Sequence, residues 1–192
     1  MKVHAGLLIG CLLLPLPIPA GAAGGQDLAI DIQASQVGFD LRTRWGQSLE
    51  GDFPDYQGVL VAMPGGELQV RMVLQAREVE IQGHPRYTRI TRGDGFFHVR
   101  RWPEVELQSD PFPLQLLHQG GELAGIVGIR GLRRVEVFTI APATCDRPLF
   151  DCPVVAEGEV SRSDYGMDRW GIALGDGVRF HLRLWAHEPV AQ

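Results

Sequence analysis

"VRFHLRLWAH", Val178–His187, decides the fold class because every second residue of this stretch is hydrophobic. Valine, phenylalanine, leucine and alanine occupy one set of alternate positions, while arginine and histidine dominate the other. Successive side chains of a β-strand point to opposite faces of its sheet, so strict alternation is typical of a strand with one buried face. One buried face and one solvated face are in turn typical of antiparallel sheets.

The same alternation recurs along most of the chain. The longest second example is "ELQVRMVLQA", Glu67–Ala76. Shorter alternating segments span Leu28–Ile32, Val37–Leu41, Val105–Leu107, Phe112–Leu116 and Val154–Val160. Turn signals separate several of them, at Pro64–Gly66, Gly120–Gly121 and Gly175–Gly177. About eight strands joined by short turns predict an all-β fold, either an antiparallel barrel or a sandwich.

One long segment, Glu80–Pro103, lacks this alternation. It predicts an irregular or partly helical insertion around residues 80–103 between two strands. Within it, the adjacent aromatics Phe96 and Phe97 indicate a cap or mouth. With no repeats and no low-complexity linker, the sequence favours a single domain over residues 27–188.

The N-terminus has the features of a secretory signal peptide. Lys2 supplies the positive charge, an apolar segment follows, and small residues from Ala20 to Ala23 offer cleavage sites. The apolar segment is shorter than a membrane span and contains three prolines. We therefore predict a signal peptide over residues 1–22 and an exported protein, which the family resemblance described below places in the periplasm. Lipoprotein anchoring through Cys11 is the less favoured alternative, because the apolar segment before it is very short.

Charge and cysteines narrow the class further. The net charge is −5, and removal of Lys2 with the signal peptide makes it −6. An acidic chain with scattered arginines argues against a nucleic-acid partner. Of the cysteines, Cys145 and Cys152 remain after processing, and in an exported protein they predict a disulfide. A metal or redox pair is the alternative, but the Cys-x-x-Cys spacing is missing.

No catalytic group stands out. The polar stretch "VSRSDYGM", Val160–Met167, has two serines and an aspartate but no histidine beside them. We interpret it as a turn into the last part of the fold, with Asp164 and the serines accepting bonds from backbone donors. The chain has no G-x-S-x-G elbow and no histidines at metal-ligand spacing. We therefore predict no catalytic residue, no metal site and no cofactor.

Five segments in order resemble the YceI-like polyisoprenoid-binding family of bacterial periplasmic proteins. They are "AIDIQASQVGFDLR" (29–42), "LEGDF" (49–53), "GDGFFHVRRWPEVELQS" (93–109), "GIVGIRGLRRVEV" (125–137) and the C-terminal "SRSDYGM…GDGVRFHLRLWA" (161–186). Two positions depart from the family pattern: Ala34 replaces a histidine and His98 replaces an aspartate. The resemblance implies an eight-stranded antiparallel, lipocalin-like barrel whose apolar lumen holds an isoprenoid chain, such as that of a respiratory quinone.

On this fold the large inward residues are candidates for contact with a ligand. They are Phe39, Phe53, Met72, Leu74, Phe96, Phe97, Leu107, Leu116, Tyr165, Met167, Phe180 and Leu182. The alternative is that the same side chains simply fill the core, since lumen and core residues look alike in one dimension. Trp45 and Trp102 are further candidates for stacking on a ligand's head group, with ordinary rim packing as the alternative.

The sequence thus favours a non-catalytic carrier for an isoprenoid quinone, a polyprenol or a fatty-acid-like ligand. Such a protein would make transient contact with a membrane during lipid exchange and would be a monomer or a homodimer. A structural or protein-interaction barrel with a self-filled core is the second hypothesis. The third is an enzyme that acts on an apolar substrate.

Overall fold

The computed structural model describes residues 27–188, and the predicted signal peptide and Cys11 lie outside them. Its strands are β1 (Leu28–Ala29), β2 (Gln36–Thr43), β3 (Ser48–Asp52), β4 (Tyr56–Ala62), β5 (Glu67–Gln75), β6 (Glu80–Ile81), β7 (Glu104–Ser109), β8 (Phe112–Pro113), β9 (Gly121–Ile129), β10 (Leu132–Ile140), β11 (Val154–Ser161) and β12 (Leu174–Leu184). The helices are α1 (Pro85–Arg92), α2 (Gln115–Gln119) and two 3₁₀ turns, Ala76–Glu78 and Arg162–Tyr165. Within residues 27–188 no helix is long and apolar enough to cross a bilayer.

The strand segments belong to one antiparallel sheet, which confirms the all-β prediction. Twelve segments are present, but their registers show that some of them follow one another along the same barrel strand. They form eight barrel strands, which we call arms. β1 and β2 follow one another along one arm and pair with β4 and β3 on the next. β5 and β6 continue the third arm, and β7 and β8 the fourth. β9 to β12 are one arm each.

The last arm closes on the first. β12 pairs with β2, with Phe180 opposite Phe39, and Ile30 bridges to Ala186 just beyond the end of β12. Closure leaves the central strands without free edges and places alternate side chains in a common interior. β12 follows the sequence pattern, since Val178, Phe180 and Leu182 are buried and Arg179 and Arg183 are exposed.

The insertion predicted around residues 80–103 is present and partly helical. It contains β6, then α1, then a run of turns that leads into β7. Pro85 starts α1, where its missing N–H leaves no helical bond unmade. The Thr88 hydroxyl accepts a 2.9 Å hydrogen bond from the Ile81 amide and fastens the helix to β6. Phe96 and Phe97 follow the helix and are buried, so they close this end of the barrel.

Two local predictions are wrong. The segment Phe112–Leu116 is a strand only at Phe112–Pro113 and then becomes helix α2, because Pro113 has no N–H to continue a ladder. Gly175–Gly177 is no turn: it lies within β12, at a register shift against β2 between Leu174 and Val178. Such a bulge bends a strand without ending it.

The Cys145–Cys152 disulfide is formed, with a Cα–Cα distance of 5.9 Å. It closes a loop between β10 and β11, and Cys152 is buried. A crosslink over such a short loop stabilises the fold by about 2–2.5 kcal/mol on the chain-entropy account.

Candidate ligand-binding interior

The barrel interior contains a cavity of about 70 Å³. Its lining is almost wholly apolar and comes from β5, from β7 to β12 and from α2, with Gln108 and Ser109 of β7 as the polar members. The large side chains around it are Met72, Leu107, Phe112, Leu117, Val127, Phe138, Leu182 and Leu184. Small apolar residues, Ala156 among them, leave the space that these side chains do not fill.

A second cavity, of about 20 Å³, lies under the cap formed by the insertion. Phe96, Phe97 and Met167 line it from the cap and hinge side, and Phe39 and Phe180 line it from the barrel wall. Two polar side chains, Thr91 and Arg162, also contribute. Mostly apolar walls with a few polar groups are typical of sites for amphiphilic small molecules.

Four phenylalanines pack against one another beside the smaller cavity, and we call them the aromatic wall: Phe39, Phe53, Phe97 and Phe180. Phe180 lines the smaller cavity, and Leu182, the next inward residue of β12, lines the larger. The ring centroids of Phe39 and Phe53 are 5.6 Å apart, and those of Phe53 and Phe180 are 6.4 Å apart. Such contacts favour a defined packing over a loose one.

Arg162 is the buried charge of this region, with only 2% of its surface exposed. Its Nε donates a 2.9 Å hydrogen bond to the Gly175 carbonyl, and Nη1 donates to the Met167 carbonyl. The guanidinium also lies 5.5 Å from the Phe96 ring centroid. Burial lowers the pKa of Arg162, and the nearby carboxylates of Asp176 and Asp168 oppose that shift.

Tyr165 is fully buried, and its hydroxyl donates a 2.7 Å hydrogen bond to Glu136 Oε1. Burial, followed by the bond to Glu136, raises the pKa of Tyr165 well above that of a free tyrosine. Tyr165 therefore stays protonated and joins the hinge after β11 to strand β10.

The hinge "SRSDYG" is confirmed as a turn, since it forms the 3₁₀ turn Arg162–Tyr165 and ends at Gly166 with φ 66°. The predicted capping role of Asp164 is wrong, because within the described residues its carboxylate accepts no hydrogen bond from a backbone amide. Asp176 takes the role: its carboxylate accepts bonds from the Ser163 amide, at 3.0 Å, and from the Ser163 hydroxyl, at 2.8 Å. Partial burial of Asp176 opposes ionisation, but these bonds outweigh it and lower its pKa.

The structure places the twelve candidate residues in four groups. The larger cavity takes in Met72, Leu107 and Leu182, and the smaller one Phe39, Phe96, Phe97, Met167 and Phe180. Phe53, Leu74 and Tyr165 are buried without lining either cavity. Leu116 is only half-buried, because α2 turns the neighbouring Leu117 into the larger cavity instead.

Sequence reasoning missed several interior residues. Phe138 lines the larger cavity, and its ring lies against Gly158, where an added Cβ would come within 2.7 Å of it. The signal was available, since Gly158 interrupts the alternating stretch Val154–Val160. Arg162 was overlooked because an arginine in a polar turn is normally solvated.

The tryptophan candidates lie away from both cavities. Trp102 packs with the Arg101 guanidinium 4.5 Å from its ring centroid, next to His98. Trp45 is exposed in the turn between β2 and β3. Across residues 27–188 the structure has no cluster of three potential metal-ligating side chains.

Comparison with known proteins adds a family and a fold. The YceI-like domain profile matches residues 28–186. BcnA of Burkholderia cenocepacia is 16% identical with a TM-score of 0.65, and the alignment covers 81% of this chain and 98% of BcnA. A polyisoprenoid-binding domain from Saccharophagus degradans, implicated in plant cell wall breakdown, is 14% identical with a TM-score of 0.61, over 84% and 98% of the two chains. No curated protein matches the chain.

The YceI protein of Campylobacter jejuni is also similar in structure. It is 15% identical with a TM-score of 0.52, and the alignment covers 72% of this chain and 85% of that protein. At these identities the structural likeness establishes the fold.

Proposed function

The chain belongs to the YceI-like domain family, and from that premise we propose that it binds a long-chain lipid inside its barrel. The ligand is a polyisoprenoid, such as a quinone or polyprenol, or a similar amphiphile such as a fatty acid. The role is binding or carriage in the periplasm, without catalysis. The observation that carries this proposal is the apolar cavity of about 70 Å³ inside a closed barrel.

The cavity must enlarge for such a ligand. A cavity of roughly 150 Å³ accommodates benzene, so about 70 Å³ is too small for even one ring. We infer that the aromatic wall separates this space from the smaller cavity, since Phe180 lines the smaller cavity and Leu182, the next inward residue of β12, lines the larger. Displacement of the wall would then join the two. Binding therefore selects an opened conformation over the packed one.

A solved relative supports the isoprenoid assignment. The Saccharophagus degradans domain is described as polyisoprenoid-binding, and it shares the fold over 84% of this chain. Long apolar chains also suit the physics of a closed barrel, because each buried CH₂ contributes about 0.8 kcal/mol.

Export to the periplasm is part of the proposal. The predicted signal peptide over residues 1–22 and the Cys145–Cys152 disulfide both favour an oxidising compartment. Mass measurement of the protein from a periplasmic fraction tests this directly. The expected mass lacks about 22 N-terminal residues and carries one disulfide. An unprocessed chain in the cytosolic fraction contradicts it.

The decisive test of binding is a lipid extract of protein purified from its native host, analysed by mass spectrometry. We expect a long-chain lipid in near-stoichiometric amount. In Ala156→Leu the extra apolar atoms fill the larger cavity without adding a polar group, so the lipid content falls at least about tenfold. The matched control is Val135→Leu on the outer face of β10, which is 71% exposed and retains the lipid.

A self-filled structural or interaction barrel is the second candidate, and the small volume of the two cavities favours it. It predicts an extract without lipid from both wild type and variants. That result overturns the lipid-binding proposal.

A further inference from the structure

Two loops form an apolar tip at one end of the barrel. The first is the turn between β2 and β3 with Trp45, and the second spans residues 168–173 ahead of β12 with Trp170 and Ile172. Trp45 is 75% exposed and Ile172 is 93% exposed. The loops are fastened together, since Arg44 donates hydrogen bonds of 2.9 Å from its Nε to the Gly171 carbonyl and from its amide to the Ala173 carbonyl.

The tip projects into solvent. An added Cβ at Gly46 would meet no other atom within 4 Å. A stable protein interface normally buries about 800 Å² on each partner, over a broad surface. Two narrow loops with a few large apolar side chains offer much less than this.

The tip stands at the capped end, next to the smaller cavity. An added Cβ at Gly95 would lie 2.8 Å from Trp170 Nε1, and Gly95 immediately precedes the cavity-lining Phe96. Met167, just before the second loop, lines the same cavity. A cleft of about 510 Å³ runs between the cap and Trp170. The loops thus border the lid of the interior.

The charge of the tip is opposite to that of the whole protein. Its loops and the end of β2 carry Arg42, Arg44 and Arg169, all exposed, against the carboxylate of Asp168, and Asp94 lines the adjoining cleft. The chain as a whole has a net charge of −5. Exposed tryptophan and isoleucine flanked by arginines match the interface of a bilayer with anionic headgroups, where apolar side chains enter and cations remain at the surface.

We propose that this tip docks the protein on the surface of an anionic phospholipid bilayer. Trp45, Trp170 and Ile172 enter the headgroup region, and the arginines contact lipid phosphates. This orientation brings the cap and the smaller cavity to the membrane, where an insoluble ligand enters and leaves. Docking at the membrane serves the proposed lipid-binding function, and its role depends on that function.

The test is co-sedimentation with vesicles of equal parts phosphatidylcholine and phosphatidylglycerol, using full-length mature protein delipidated beforehand. We expect binding with a blue shift of tryptophan fluorescence. The double variant Trp45→Ala with Ile172→Ser weakens partitioning at least about tenfold, because both side chains are free of packing in solution. Arg169→Gln weakens it about fivefold on these vesicles and leaves phosphatidylcholine vesicles unaffected.

The matched control is Val135→Ser, which removes an equally exposed apolar residue from the side of the barrel. It binds vesicles as wild type does. Equal binding by wild type and the tip variant, an equal loss in Val135→Ser, or no binding by wild type overturns the docking proposal. So does a tip-dependent homodimer in analytical ultracentrifugation with no vesicle binding.

The two proposals fail separately. If the protein carries co-purified lipid but does not bind vesicles, only the docking proposal is refuted. A protein without lipid refutes the proposed function whatever the vesicles show.

Discussion

Replacement of Phe180 by alanine removes one ring of the aromatic wall, which contacts two of the other three. Phe180 is 2% exposed, and its ring centroid lies 6.0 Å from that of Phe39 and 6.4 Å from that of Phe53. Loss of a packed phenylalanine destabilises a core by about 3–5 kcal/mol, because apolar burial is lost and a cavity remains. We expect the cavity left here to connect the two that already exist, because Phe180 lines the smaller one and its strand neighbour Leu182 lines the larger. We therefore expect a less stable protein with a roomier interior.

The larger interior changes how the protein responds to a ligand. In the wild type, only molecules with an open wall bind the ligand. The apparent affinity is therefore the affinity of the open state multiplied by the fraction of molecules that are open. Phe180→Ala removes that requirement, so an isoprenoid alcohol such as farnesol binds it more tightly. A ligand at about 100 times its Kd stabilises the folded state by about 2.7 kcal/mol. Bound farnesol then restores most of the unfolding free energy that Phe180→Ala loses.

The assay is urea unfolding of delipidated protein with and without farnesol. Ile81→Ala is the matched control, because Ile81 is buried, lines neither cavity and costs about 2–5 kcal/mol when truncated. We expect the farnesol-induced gain to be larger in Phe180→Ala than in wild type, and unchanged from wild type in Ile81→Ala. A gain in Phe180→Ala that is no larger than that of the control refutes the idea that the wall limits access.

Three further predictions follow from the hinge and the disulfide. Arg162→Leu leaves one buried and one partly buried carbonyl without their donor and lowers the free energy of unfolding by about 2–5 kcal/mol; a loss below about 1 kcal/mol contradicts the bonding described. Cys145→Ser with Cys152→Ser costs about 2–2.5 kcal/mol in urea unfolding, and reductant destabilises the wild type equally but leaves the double variant unchanged. Tyr165 has a raised pKa when folded, so its contribution is intact below the unfolded value of 10.0 and is lost progressively as pH rises above it. Tyr165→Phe therefore flattens the decline of the unfolding free energy above about pH 10, and an unchanged slope argues against the buried hydroxyl.

The sequence predicted the architecture because the alternation of hydrophobic residues within each strand shows which of its faces is buried. The alternation at Val178–Leu184 and the missing alternation at Glu80–Pro103 identified a strand and an insertion, and both are present. Segment ends were less predictable. Gly175–Gly177 has the composition of a turn, yet the bond between Asp176 and Ser163 holds it as a bulge. Ser163 lies 13 residues before Asp176, so the local sequence around Gly175–Gly177 does not reveal this bond.

The interior was harder to predict than the walls. Leu116 and Leu117 are identical in type, and only the phase of helix α2 decides which of them lines the larger cavity. Leu74 and Met72 share one face of β5 and are both buried, but only Met72 borders the cavity. Volume depends on how side chains from opposite strands meet across the barrel. A sequence pattern indicates on which face of the sheet a residue lies. It does not indicate how far that residue is from the strands on the other side of the barrel.

The aromatic wall sets a minimum length for any ligand. Displacing one phenylalanine forfeits about 1.5–3 kcal/mol of burial and about 0.5–1.5 kcal/mol for each aromatic contact, so opening costs on the order of 3–6 kcal/mol. One five-carbon isoprene unit gains about 4 kcal/mol when buried, at about 0.8 kcal/mol per carbon. The first unit, and at most about half of the second, thus only offset the opening, and net affinity comes from the carbons beyond them. The packed wall therefore rejects short apolar molecules and admits long chains, a selection by length that needs no specific polar contact with the tail.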